Sequence, residues 1–129
     1  MQIELTVLAL AGVLQGLQFV VFSIYANRQI GPKVAMGTRD HAQPLTGTAG
    51  RLQRALNNHF EGLIMFTLAV VVVTLGRQGT MFTATCAWLY LIARILYVPA
   101  YVLGWVPGRS IIWVIGFGAT MLMILAAIF

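Results

Sequence analysis

Residues 51–75 read RLQRALNNHFEGLIMFTLAVVVVTL. The opening half carries Arg51, Arg54, Asn57, Asn58, His59 and Glu61, and the closing half, from Leu63 to Leu75, is almost wholly apolar. An apolar run of this kind predicts a membrane-spanning helix of about 20 residues, here entered through a polar mouth. Ionisable groups near the bilayer interior cost about 2.5–3.5 kcal/mol each at a helix centre. Arginines, an asparagine and a glutamate kept at such a place imply a polar ligand or a partner subunit. Their spacing sharpens the point, because Arg51, Arg54, Asn58 and Glu61 fall within about 80° of arc and form one stripe on one helix face. His59 points away from that stripe and Asn57 lies near its edge.

The rest of the chain agrees with a membrane class. Hydrophobic residues make up 60% of it and charged ones 9%, well below the roughly 25% charged of soluble domains. The sequence predicts one all-α domain over 1–129, an integral membrane up-down four-helix bundle. Its helices are expected at about 3–27, 52–75, 80–103 and 109–129, with a long polar loop at 28–50. The opening segment has neither the basic start nor the small-residue cleavage site of a signal peptide, so it reads as a retained helix. Gly76-Arg77-Gln78-Gly79 and Gly104-Trp105-Val106-Pro107-Gly108 are short connections, which makes their flanking helices antiparallel neighbours. Gly116 and Gly118 read as helix-packing positions.

The net charge of +5 is a membrane signal. Loops one and three, with the helix ends beside them, hold Arg28, Lys33, Arg39, Arg51, Arg54 and Arg109, against Arg77 on the opposite side. Positive-inside bias puts these loops in the cytoplasm and both termini on the other side. Nothing interleaves aromatic and basic residues as a nucleic-acid surface would, so DNA and RNA are excluded as partners. Cys86 lies in an apolar run and reads as a small buried or lipid-facing residue. No Cys/His cluster has metal-ligand spacing. His41 lies in the long loop beside Asp40, the only aspartate, and no Ser-His-Asp set can be assembled.

The third helix repeats the logic of the second. Tyr90, Arg94, Tyr97 and Tyr101 share about 60° of arc. Arg94 is near mid-helix and has to face inward, with Glu61 as its expected partner. That pair would serve equally as interhelical glue, and Tyr90 reads more simply as a packing residue. Pro99 is expected to kink the end of this helix. Arg109-Ser110 opens the fourth helix, where free backbone N–H groups and a positive dipole end would favour an anion; an anchoring arginine beside a capping serine is the plainer reading. Arg28 closes the first helix. All these groups gather toward one membrane face, and cationic side chains with a few acceptors suit a small flexible anion bearing carboxylates and an amine.

The motifs Arg51-x-x-Arg54-Ala55-x-x-Asn58-x-x-Glu61, Arg94-x-x-Tyr97-x-x-x-Tyr101 and Arg109-Ser110 resemble the membrane-associated proteins in eicosanoid and glutathione metabolism, the MAPEG family. Length, the four-helix layout and the long first loop extend the resemblance over nearly the whole chain. The resemblance implies a homotrimer that binds glutathione as co-substrate between neighbouring subunits near the cytoplasmic face. It also implies a transferase or peroxidase acting on lipophilic electrophiles or lipid hydroperoxides drawn from the membrane lipid, without a metal. Arg28, Arg54, Asn58, Glu61, Tyr97 and Tyr101 would hold the tripeptide, Arg51 and Arg94 would support the site, and Arg109, with Ser110 second, would stabilise the thiolate. Leu56, Asn57, Gly62 and Tyr97 stand where the eicosanoid-synthase branches carry other residues, so the chain is most similar to bacterial-type general members of an inner membrane. Two other classes fit a four-helix membrane chain. A small multidrug exporter would use Glu61 as its proton carrier, though the arginines around it would repel cationic drugs. A non-catalytic scaffold or accessory protein would use the stripes as glue between helices.

Overall fold

The computed structural model describes residues 2–30 and 46–129. Four helices follow one another: α1 (Ile3–Ile30), α2 (Gly47–Leu75), α3 (Met81–Val102) and α4 (Gly108–Ile128). Each is long and apolar enough to cross a membrane, and no strand occurs among the described residues. The protein is an all-α, integral membrane four-helix bundle. Many of its large apolar side chains face outward, including Leu17, Phe19, Ile64, Leu68, Ile92 and Val114, as a lipid-solvated bundle requires and a water-soluble one does not tolerate.

The first two helices run further than the sequence reading. Residues 28–30 belong to α1 and 47–50 to α2, so the segment expected as loop over 28–50 loses both ends. Gly47 and Gly50 read as breakers, yet Gly47 takes the left-handed φ of +60° at the start of α2, which glycine adopts without strain. Ala49 and Gly50 are buried there. Thr46 is the extended N-cap residue of α2 and is tied to α1: its N–H donates to Gln29 Oε1, and Gln29 Nε2 donates to Thr46 O, both at 3.0 Å. Lys33, Arg39, Asp40 and His41 lie outside the described residues.

In the bundle α3 packs mainly along α4 and α1 along α2, while α2 bridges to α4 and α3. The apolar core occupies the half of the bundle away from the arginines. Val7, Ala11, Phe66, Val70, Val73, Ala87, Tyr90 and Met123 meet there, with the Phe66 and Tyr90 rings stacked at 4.0 Å. Cys86 is buried and free in the same core. His59 is fully buried off the polar stripe, and its Nε2 donates to Ala11 O at 3.3 Å. Gly116 packs at a close approach of α4 to Ala93 on α3, whereas Gly118 faces open space, so of these two expected packing glycines Gly116 alone packs against a neighbouring helix.

The α2–α3 turn at the far end is closed by specific chemistry. A side chain at Gly76 would meet Val72 O at 2.8 Å. Thr80 and Thr83 form a reciprocal capping box at the start of α3, which satisfies two orphan N–H groups. Thr83 Oγ1 also donates to Glu4 Oε1 at 2.7 Å in a buried contact. The carboxylate of α1 is thereby fixed beside the positive end of α3.

Candidate functional site

The arginine end of the bundle gathers the start of α2, the last turns of α3 and the start of α4. The stripe on α2 faces α3, and its members find different partners. Arg51 Nη1 donates to Val102 O at 2.9 Å, a cation on one of the last carbonyls of α3. Arg54 Nε donates to the Tyr101 hydroxyl at 3.0 Å. Asn58 Oδ1 accepts from Arg94 Nη1 at 2.9 Å.

Arg94 is the pivot. It is 3% exposed, its guanidinium carbon sits 4.5 Å above the Tyr97 ring, and its Nε and Nη2 have no partner. The hydroxyl of Tyr90, one turn earlier, is likewise buried and unpartnered. A buried donor left unpaired is costly, more so when it carries charge. Both residues line a pocket of about 190 Å³ between α2, α3 and α4, with Asn58, Glu61, Trp113 and Thr120 among its other walls.

The expected Arg94–Glu61 ion pair is not made; no salt bridge between these two occurs, and Arg94 takes Asn58 instead. Asn58 lies one turn nearer the mouth of α2 and reaches the guanidinium, while the Tyr97 face shields the cation from the other side. Glu61 is exposed at the rim of the same pocket. Arginine and glutamate therefore flank one cavity without touching.

A second, more open pocket of about 410 Å³ adjoins the first through the shared Asn58 and Trp113, and is completed by Tyr97, Arg109, Ser110 and Val114. Arg109 is half-buried and lies 4.7 Å from the centre of the Tyr101 ring, which packs tilted against Tyr97 at 5.7 Å. Tyr101 thus carries Arg109 on its face and Arg54 at its hydroxyl. Ser110 is exposed.

One expectation for α4 fails. Its first N–H groups are not free: Arg109 N–H donates to Trp105 O at 2.8 Å, and those of Ser110 and Ile111 donate to Pro107 O at 3.0 and 3.2 Å. The Trp105–Pro107 turn folds its carbonyls under the helix start. An anion there relies on the Arg109 side chain, not on a cradle of backbone amides, and Ser110 caps nothing.

The structure brings Arg51, Arg54, Asn58, Glu61, Arg94, Tyr97, Tyr101, Arg109 and Ser110 to one end of the bundle, and Arg28 lies on the last turn of α1, which is tied to the start of α2 at that end. Arg28 is exposed at the end of α1, and no hydrogen bond among the described residues joins it to the others. The sequence reading missed Trp113, Phe117 and Thr120, which line the inner pocket with Gly116. Their signal was the continuation of the Arg109 face along α4 at helical spacing.

The sequence model of the MAPEG family matches residues 7–129, nearly the entire chain. No curated protein and no solved structure matches it.

Proposed function

Since the chain belongs to the MAPEG family, we propose that it is a membrane-bound glutathione-dependent transferase or peroxidase acting on lipophilic electrophiles or lipid hydroperoxides. The family itself is one of membrane proteins in glutathione and eicosanoid metabolism. The observation that carries the finer reading is the inner pocket. Arg94, a buried arginine with two unused donors, lines the same cavity as Glu61, a carboxylate it does not pair with. An amino-acid end group has the complementary chemistry: its carboxylate takes Arg94 Nε and Nη2, and its ammonium takes Glu61. The γ-glutamyl end of glutathione is such a group.

From that anchor the tripeptide runs toward the bundle mouth. Its second carboxylate meets Arg54, held in place by Tyr101, and its sulfur lies in the outer pocket beside Arg109. A free thiol ionises near pH 8.5, and an adjacent cation shifts that ionisation toward neutrality. The thiolate then attacks the electrophilic carbon, forming the C–S bond as the leaving group departs. With a hydroperoxide it attacks the terminal oxygen, the O–O bond breaks and the lipid alkoxide leaves, taking a proton from water to become the alcohol; a second glutathione then condenses with the resulting sulfenic acid to give the disulfide and water. Exposed Trp113, Val114 and Phe117 give an apolar co-substrate access from the lipid side, and juxtaposing the two substrates supplies part of the acceleration. In a homotrimer, Arg28 would reach the site of a neighbouring subunit. By the positive-inside argument this end faces the cytoplasm.

Binding without turnover is the second reading. The Arg51–Val102, Arg54–Tyr101 and Arg94–Asn58 bonds already tie α2 to α3, which favours a structural use of the same arginines. Glutathione titrated into detergent-solubilised protein should raise its unfolding temperature, whereas cysteinylglycine, lacking the γ-glutamyl end, should not. Equal shifts with both peptides would sink the site. A shift with glutathione but no conjugation of a chlorodinitrobenzene and no peroxide reduction would leave the non-catalytic reading.

A further inference from the structure

The end of the bundle away from the arginine stripes holds an open cavity of about 480 Å³ between the start of α1 and the α2–α3 turn, lined by Gln2, Glu4, Arg77, Gly79, Thr80 and Met81 among others. It shares no residue with the two pockets at the arginine end. Glu4, mostly buried in its wall, is held by the Thr83 hydroxyl, which donates to Oε1 at 2.7 Å. Its Oε2 accepts no hydrogen bond among the described residues and is not sealed off. A Cβ at Gly79 would stand 3.6 Å from Glu4 Oε1 and 4.0 Å from Gln2 Oε1, so the space this glycine leaves open is bordered by two acceptor oxygens. Arg77 is the cation of the lining and is exposed. Glu4 takes Thr83, and no salt bridge joins it to Arg77.

Arg77 also occupies a costly backbone position. Its φ is +55°, in the left-handed region that glycine takes without strain. Gly76 and Gly79 stand close by on either side, yet this position carries an arginine. Strain of this kind points to a use for the side chain.

The charges of the lining select the occupant. A lone anion would meet the Glu4 carboxylate, and a lone cation the Arg77 guanidinium. A zwitterion satisfies both: a phosphate on the guanidinium fork, and an ammonium whose N–H groups donate to the Glu4 and Gln2 oxygens. Ile3 and Met81, exposed apolar side chains of the same wall, give acyl chains a surface to lie on. We propose that this cavity binds the headgroup of a phospholipid bearing a primary amine, with its phosphate at Arg77 and its ammonium at Glu4. The site is independent of glutathione and of the reaction proposed above.

Native mass spectrometry of the detergent-solubilised protein reads the selection, using phosphatidylethanolamine, phosphatidylcholine and phosphatidylglycerol with identical acyl chains. The ethanolamine lipid should bind about tenfold more tightly than either competitor, the size of one charge-assisted hydrogen bond. Choline has no N–H to donate, and glycerol carries no cation. Glu4→Gln keeps an oxygen for the Thr83 hydroxyl and should bring the ethanolamine lipid level with the choline lipid. Arg77→Gly relieves the positive φ, so it should unfold no lower than the wild type. It should weaken the ethanolamine and choline lipids alike, because both carry the phosphate. Water-soluble glycerophosphoethanolamine should bind more weakly than the lipid, since it leaves Ile3 and Met81 uncovered. Equal binding of the three lipids, an ethanolamine preference that survives Glu4→Gln, undiminished binding in Arg77→Gly, or a soluble headgroup that binds as tightly as the lipid would each overturn the proposal.

Discussion

Arg94→Met separates a receptor arginine from a structural one. The substitution removes a charge-assisted hydrogen bond to Asn58 at 2.9 Å, about 1.5–3 kcal/mol, and the cation–π contact with Tyr97 at 4.5 Å, about 1–2 kcal/mol. It also removes two buried donors without partners, Nε and Nη2, each a penalty of about 1–3 kcal/mol. Methionine keeps most of the packing volume. The gains and losses offset to within about 2 kcal/mol, so the ligand-free protein should unfold within about 8 °C of the wild type. Binding behaves differently, since a carboxylate loses its charge-assisted bonds. A loss of about 3 kcal/mol weakens affinity about a hundredfold. At 100 times the wild-type dissociation constant, glutathione stabilises the wild type by about 2.7 kcal/mol; in the variant the same concentration is near the dissociation constant and gives about 0.4 kcal/mol. Thermal denaturation in detergent, with and without glutathione, reads both quantities. A variant that collapses without ligand yet keeps the full glutathione-induced rise would show that Arg94 holds helices together and does not receive the peptide.

Glu61→Gln should leave the ligand-free fold intact, because Glu61 is exposed and unpaired with Arg94, while calorimetric glutathione affinity falls about tenfold, or 1.4 kcal/mol; unfolding without ligand would contradict this. Arg109→Ala should move ionisation of the bound thiol to higher pH, since the cation that favours the thiolate is gone, and lower turnover more than affinity. Arg54→Ala should do the reverse, and thiolate ultraviolet absorbance followed against pH in both variants distinguishes them; an unchanged titration in Arg109→Ala removes that residue from the chemistry. Thr83→Val takes away the acceptor for the Thr80 N–H, one half of the α3 capping box, and the donor to buried Glu4, a loss of about 2–4 kcal/mol visible in denaturant unfolding, and a loss below about 0.5 kcal/mol would show that Glu4 finds another donor.

The helices were legible because long apolar runs have few alternatives in a chain this poor in charge. The co-facial sets on α2 and α3 were legible because helical period alone places Arg51, Arg54, Asn58 and Glu61 together, and Tyr90, Arg94, Tyr97 and Tyr101 together. Which member of one stripe meets which member of the other was not, because the axial offset between two helices is set by packing and leaves no mark in either spacing. Asn58 and Glu61 are one turn apart, and that offset decides which of them Arg94 reaches. The occupied N–H groups of α4 were hidden for a related reason, since carbonyls from a Pro-Gly turn can fold under a helix start or away from it. Gly47 and Gly50 misled because glycine serves a left-handed helix start, as at Gly47, and a buried helix position, as at Gly50, as readily as a break.

The paired hydrogen bonds between Gln29 and Thr46 fasten the end of α1 directly to the start of α2, so two ordered positions set where these helices meet. The register of α1 against α2 is therefore insulated from whatever sequence joins them.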